Sequence, residues 1–259
     1  MEKREDNKLI SVCSFKGGTG KTSISINLAK VASEYEIETL LWEMDKNPGS
    51  LSSIFDLDPN TSIISAIMHP QGLHYYINHV KNEKFDILLG PPDPIIGEEI
   101  DDIKKLSEVL NLAKNSYKLI ILDLGPYLDK ISIQLMNESD LILLIIEPEV
   151  SSISKARVNI DLICKKTEYD IENKIWTIVN KTKVFDNITI SQIIDALKLP
   201  FCTKIAYDIT YRSQMNRMES KIPETKLYKG CKKIFKKIYP EAKRPEKGRK
   251  LFLKKTKKI

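Results

Sequence analysis

The chain is predicted to fold as an α/β domain, a doubly wound, mainly parallel sheet with helices on both faces. Three observations predict it. Short, almost purely apolar runs alternate with longer amphipathic stretches from end to end, the pattern of strands buried on both faces and joined by helices. A glycine-rich loop, "GGTGKT" (17–22), separates the first apolar run from the first amphipathic one. No internal repeat or Gly/Ser-rich linker divides the 259 residues, a length that one large core can accommodate.

The predicted strands, in order, are "LISVCSF" (9–15), "ETLLWEM" (38–44), "FDILLG" (85–90), "KLIILDL" (118–124), "LILLIIE" (141–147), "KIWTIVN" (174–180) and "FCTKIA" (201–206). Helical periodicity is read over 21–34, 98–115, 149–167 and 187–197. "GPPDP" (90–94) ends the third strand, and Glu98, Glu99, Asp101 and Asp102 favour the start of the helix after it. A last amphipathic helix over 225–239 places Leu227, Cys231, Ile234, Phe235 and Ile238 on one side and lysines on the other, so it is expected to pack back on the body. Pro240 and Pro245 break regularity beyond it. The domain is therefore read as 1–240, followed by a basic and flexible tail over 241–259.

Composition narrows the classes. The longest apolar run, "LILLII" (141–146), is far short of the ~20 residues that span a bilayer, and the charged N-terminus leads straight into a strand. A cytoplasmic protein is expected. Cys13, Cys164, Cys202 and Cys231 are widely spaced and form no CxxC pair, which disfavours a zinc knuckle or a disulfide framework. His69, His74 and His79 recur every five residues, a step that scatters them around a helix rather than gathering metal ligands. The net charge of +6 conceals an asymmetry. From Lys229 onward fourteen Lys/Arg face two Glu, giving +12, while the rest holds 27 Lys/Arg against 33 Asp/Glu, giving −6.

The glycine loop carries the chemistry. Gly17, Gly18, Thr19 and Gly20 let backbone N–H groups turn inward around a phosphate chain, and the following helix adds positive potential at its N-terminus. Lys21 is expected to reach the terminal phosphates, and Thr22, followed by Ser23, to offer a hydroxyl to Mg²⁺. Asp123 ends the strand "LIILD", where an acidic residue can hold Mg²⁺ through water. Asp45 ends "LLWEMD", where a carboxylate can touch the metal region, orient the attacking water and take its proton. A structural alternative exists for both aspartates, since an acidic cap after a strand is common. The Gly-Lys-Thr ending is what a mere glycine turn would not need.

With Lys16 before the double glycine, the loop reads "KGGTGKT", and this resembles the deviant Walker A form of the MinD/ParA family of P-loop ATPases. The resemblance implies bound ATP and Mg²⁺, slow hydrolysis and an ATP-dependent homodimer in which Lys16 reaches the partner's nucleotide while Lys21 serves its own. It also places Asp45 at switch I ("MDKNPGSLS"), Asp123 at switch II ("LDLGP"), Asn180 of "TIVNK" where adenine is read, and Tyr207 and Asp208 of "IAYD" (205–208) beside the base. Glu43, Lys46, Gly125 and Ala206 depart from the family's usual residues, which touches loop geometry and hydrolysis rate rather than phosphate chemistry.

Between the switches, "SIFDLDPNTSIISAIMHP" and "FDILLGPPDPIIGEEID" resemble the CpaE/TadZ-type ATPases of type IVb pilus assembly. That branch implies a nucleotide-dependent switch that positions or assembles a pilus or secretion machine with an unidentified protein activator. The alternatives are a ParA-type DNA-partitioning ATPase, whose non-specific DNA contact the basic tail would suit, and a MinD-type regulator. In the latter, "GRKLFLKK" (248–255) would meet anionic lipid, with recruitment to membrane or nucleoid. A related tyrosine kinase fits poorly, because the tail is rich in lysine, not tyrosine. A nucleotide-gated interaction module with little turnover would need the same site residues.

Overall fold

The structure is a computed structural model, and it describes residues 7–80, 83–97, 102–167, 169, 171–211 and 225–245. The calls on Glu98, Glu99, Asp101 and on residues 246–259, "GRKLFLKK" included, lie outside the described residues.

The element order is β1 (Lys8–Cys13), α1 (Lys21–Glu34), β2 (Thr39–Met44), α2 (Leu51–Phe55), α3 (Ile63–Met68), α4 (Leu73–Tyr76), β3 (Asn78–His79) and β4 (Asp86–Leu88). Then come α5 (Pro94–Gly97), α6 (Ile103–Ser116), β5 (Leu119–Leu124), α7 (Lys130–Glu138), β6 (Leu141–Ile146), α8 (Val150–Lys166), β7 (Ile175–Thr182), α9 (Ile190–Leu197), β8 (Phe201–Ala206) and α10 (Lys226–Ile238). All seven expected strands form. The eighth, β3, is two residues long and runs antiparallel to β4. It and the helices α2 to α5 fall in a stretch too short and irregular in its apolar spacing to announce them.

The sheet order is β3-β4-β2-β5-β1-β6-β7-β8, parallel apart from β3. Side chains alternate across it, so β1 sends Leu9 and Cys13 to one face and Ile10 and Val12 to the other. The first face packs under α3, α6, α7, α8 and α9, and the second under α1 and α10. Leu227, Cys231, Ile234 and Phe235 of α10 are all buried there, with the Phe235 ring 4.6 Å from that of Tyr35. Each such side chain contributes about 1.5–3 kcal/mol by leaving water. The chain just after α10 is also fastened, since Arg244 pairs with Glu34 and donates to the Tyr228 hydroxyl at 2.9 Å.

Caps explain where several helices begin. Thr189 and Gln192 form a reciprocal capping box, so α9 begins at Ile190 rather than 187. Asp102 accepts from the Lys105 N–H at 3.1 Å and caps α6 at Ile103. β1 stops at Cys13, because the Ser14 hydroxyl donates to the Lys16 carbonyl at 2.8 Å and turns the chain into the glycine loop. Among the described residues, no helix is long and apolar enough to cross a membrane.

Candidate functional site

Strand order assembles the site. β1 lies between β5 and β6, so the loop leaving it emerges where the crossovers change direction, the crevice at which open α/β sheets take ligands. The register pairs Val12 with Asp123 on one side of β5 and Glu43 with Asp123 on the other. Thus the loop after β1 and the carboxylates ending β2 and β5 are neighbours, although 78 or more residues separate Asp123 from the other two in sequence.

Gly18 (φ +75°) and Gly20 (φ +95°) adopt left-handed backbone, which an L side chain resists. Between them Thr19 is buried and turned inward, its hydroxyl donating to Ser14 Oγ at 2.8 Å. Thr19 therefore shapes the loop and leaves only its backbone for a ligand. Thr22 opens α1 and donates its hydroxyl to Asp123 Oδ2 at 2.6 Å, while Ser25 donates to Oδ1 at 3.0 Å. Lys21 is buried nearby. Burial pushes the Asp123 carboxyl up to about 6, against the pull of the Thr22 hydroxyl and the Lys21 charge.

Asp45 lies close enough to Asp123 for its charge to add to the upward push on that carboxyl, and it is held by its own loop. Its Oδ1 accepts from the Asn47 N–H at 3.0 Å and from Asn47 Nδ2 at 3.1 Å. Its carboxylate lies so close to Gly125 that a Cβ there would be 3.0–3.2 Å from it. The unusual glycine before Pro126 is thus what lets the two loops approach. Glu43, noticed in the sequence only as a departure, is a buried organiser. It accepts from the backbone N–H of Leu51 at 3.3 Å and of Gly90 at 3.1 Å, tying the loop after β2 to the one after β4. Burial, opposed by those two hydrogen bonds, pushes its carboxyl up to about 7.

A cavity of about 510 Å³ opens beside the glycine loop. Gly18, Gly20, Thr22 and Ser23 form one wall, and Asn180, Tyr207 and Asp208 belong to the others. Asn180 Nδ2 donates to the Thr19 carbonyl at 2.8 Å, so this residue also braces the loop. The Asp208 carboxylate is engaged as a cap, accepting from the N–H groups of Thr210, Tyr211 and Lys226, and it contributes position rather than a free charge. Lys16, Gly17, Thr19, Lys21, Asp45 and Asp123 do not line this cavity. Sequence reasoning missed Lys181, Ser50, Ile54 and Tyr211, which do. Apart from the switch position of Ser50, no local motif distinguishes them.

Lys16 folds back within its own chain. It pairs with Glu147 Oε2 at 3.0 Å and also with Glu149. Glu147 Oε1 in turn pairs with Lys181 at 2.6 Å, and the Lys181 ammonium donates to the Gly18 carbonyl.

The residues present suit a magnesium nucleotide. Thr22 and Asp123 form a hard oxygen pair of the kind Mg²⁺ prefers. Beside them lie a buried lysine and two glycines whose left-handed backbone suits a loop wrapped around phosphate.

The chain is 29% identical over 184 residues to an uncharacterised ATP-binding protein of Methanocaldococcus jannaschii, MJ0547, covering 66% of this chain and 63% of that one. It is 27% identical over 156 residues to the virulence plasmid ParA family protein pGP5-D of Chlamydia psittaci, covering 56% and 59%. Thus the match spans less than two thirds of either relative's length. The septum site-determining protein MinD of Pyrococcus horikoshii, solved with Mg-ADP, superposes with a TM-score of 0.75 over 90% of this chain and 96% of that one, at 24% identity, a likeness of fold. The model of the AAA domain family AAA_31 matches residues 7–175, and the chain belongs to that family, with ParA family proteins among its sequence relatives.

Proposed function

We propose that the protein binds Mg-ATP, hydrolyses it slowly to ADP and phosphate, and works as an ATP-dependent dimeric switch. The observation that carries this reading is the convergence of Lys21, the Thr22–Asp123 hydrogen bond and Asp45 at the carboxyl ends of β1, β5 and β2, next to a cavity of nucleoside size. In this reading the phosphates lie against residues 17–22 and the nucleoside enters the cavity, bordered by Asn180, Tyr207 and the Asp208 segment. Thr22 and Asp123 would hold Mg²⁺, which would supply positive charge beside the phosphates. Lys21 neutralises the terminal phosphates. Asp45 orders the attacking water and accepts its proton.

Dimerisation through the nucleotide edge is supported by where apolar residues stay exposed. Ile95, Tyr127, Val150, Phe185 and Ile209 follow β4, β5, β6, β7 and β8 respectively, on the same edge as the glycine loop, and all are strongly exposed. Such an edge suits a second copy, and Lys16 would then complete the partner's site as an incoming cation.

For the cellular task, the reading is the positioning or assembly of a pilus or secretion machine, stimulated by a protein activator. It rests on the "DLDP" and "PPDP" strings of the CpaE/TadZ type. A second reading, DNA partitioning, is favoured by a different observation. Lys229, Lys232, Lys233 and Lys236 line one surface groove on α10, a cluster able to contact DNA phosphates or anionic lipid.

The deciding experiment is light scattering of the Asp45→Ala protein with Mg-ATP, alone and with non-specific duplex DNA at moderate salt. An ATP-dependent dimer that ignores DNA supports the positioning switch. A dimer that coats DNA moves partitioning to first place. A monomer throughout overturns the dimeric switch.

A further inference from the structure

The ion pairs around Glu147 point beyond the proposed chemistry to a device that rests on the reading in which Lys16 serves a second copy's nucleotide. We propose that Glu147 is a latch that stores Lys16 on its own subunit and must release it before the dimer closes, with Lys181 as the counter-anchor that fixes the latch to the glycine loop.

Five observations carry this. Glu147 directly follows β6, a central strand between β1 and β7; it is buried, and its two oxygens are divided between two cations, Oε2 to Lys16 at 3.0 Å and Oε1 to Lys181 at 2.6 Å. Its backbone is pinned, since its N–H donates to Ser152 Oγ at 3.1 Å in the first turn of α8, and Lys181 holds its other oxygen, so the carboxylate is restrained from following a departing lysine. Lys181 holds a left-handed backbone (φ +56°), a conformation that a lysine adopts at a cost and that the surrounding contacts maintain. From there its ammonium also donates to the Gly18 carbonyl, joining the latch to the phosphate loop. Glu149, the other partner of Lys16, is exposed and offers a weaker, water-screened hold.

The device is electrostatic. Opposite charge from both lysines holds the Glu147 carboxyl below its ordinary range against the effect of its burial. With the carboxylate present, Lys16 is neutralised in place and its reach toward another molecule is opposed. Phosphates arriving in the loop present competing anions to Lys181 and Lys16, and a second copy's phosphates give Lys16 a stronger partner. Binding can shift the lysine only by this difference in affinity between the stored and the reaching state.

The test is Glu147→Gln, which keeps the size, leaves only one acceptor oxygen for the two lysines and removes the charge, measured by analytical ultracentrifugation with saturating Mg-ATP and an Asp45→Ala background. The released lysine is expected to tighten the dimer about tenfold, because two latches of partly screened strength are removed per dimer. Loss of structure alone would weaken the dimer, so the direction separates release from damage. Unchanged or weaker dimerisation by a protein with native circular dichroism overturns the latch. Should the glutamine variant not fold, Glu147→Asp, which keeps the charge but draws it back from Lys16, must show the same direction. Lys16→Ala separates the two claims. If it dimerises as well as the parent, the trans-acting lysine itself is wrong. If it abolishes the dimer while Glu147→Gln has no effect, only the latch is wrong.

Discussion

A Cβ placed on Gly20 would lie 2.5 Å from Nδ2 of Asn180, the same nitrogen that braces the loop by donating to the Thr19 carbonyl. Gly20 also sits at φ +95°, so a side chain meets both strain and collision there. Gly20→Ala is expected to cost about 1–3 kcal/mol and to push Asn180 off the loop. Chemical denaturation and nucleotide titration should both record the loss. A variant that binds nucleotide like the parent would show that the brace is dispensable.

Lys21 and Asp45 should separate binding from turnover. Lys21→Ala removes the buried cation of the loop and is expected to abolish measurable nucleotide affinity in a fluorescent-analogue titration. Asp45→Ala should keep ATP and the dimer yet lose turnover by about 100-fold or more, the scale of a lost general base. Equal phosphate release by wild type and Asp45→Ala would remove the aspartate from the mechanism.

Stability without nucleotide should fall as pH rises. Burial raises Asp123 from 3.8 to about 6 and Glu43 from 4.5 to about 7, so the folded protein holds these protons more tightly than the unfolded chain. Stability from this source is full below pH 4 and is lost progressively up to about pH 7. Glu147, shifted downward, acts only in the more acidic range. Asp123→Asn should flatten the slope and stabilise the nucleotide-free protein by on the order of 2 kcal/mol at pH 7.5, while losing magnesium-dependent binding. Melting curves from pH 5 to 8 give the answer, and a wild-type midpoint that rises with pH contradicts the assignment.

The last helix is core, not appendage. Phe235 is fully buried and its ring stacks obliquely on Tyr35. Phe235→Ala should cost about 3–5 kcal/mol in urea denaturation. A change below 1 kcal/mol would mean that α10 contributes little to the second helical layer.

The legible parts of the molecule are those whose signal is local. Alternating apolar runs placed β1, β2 and β4 to β8, because a strand buried on both faces must be apolar throughout. The spacing of Leu227, Cys231, Ile234 and Phe235 set the buried side of α10, because a helix of period 3.6 has one stripe to hide. "GKT" located Lys21 and Thr22, since wrapping backbone around phosphate needs glycine and then a cation and a hydroxyl at fixed steps.

Glu43, Lys181 and Glu147 carry no such signal. Each is a single charged residue at a strand end, and its neighbours come from strands far apart in sequence. The order β2-β5-β1-β6-β7 brings Glu43 beside Asp123 and sets Lys16, Glu147 and Lys181 around the loop. The sequence by itself determined the layers, the parallel sheet and the phosphate-loop motif, through periodicity and steric demand along the chain. Tertiary structure alone decided which charges face one another, because electrostatic pairing depends on distance in space and burial, and neither is written into sequence separation.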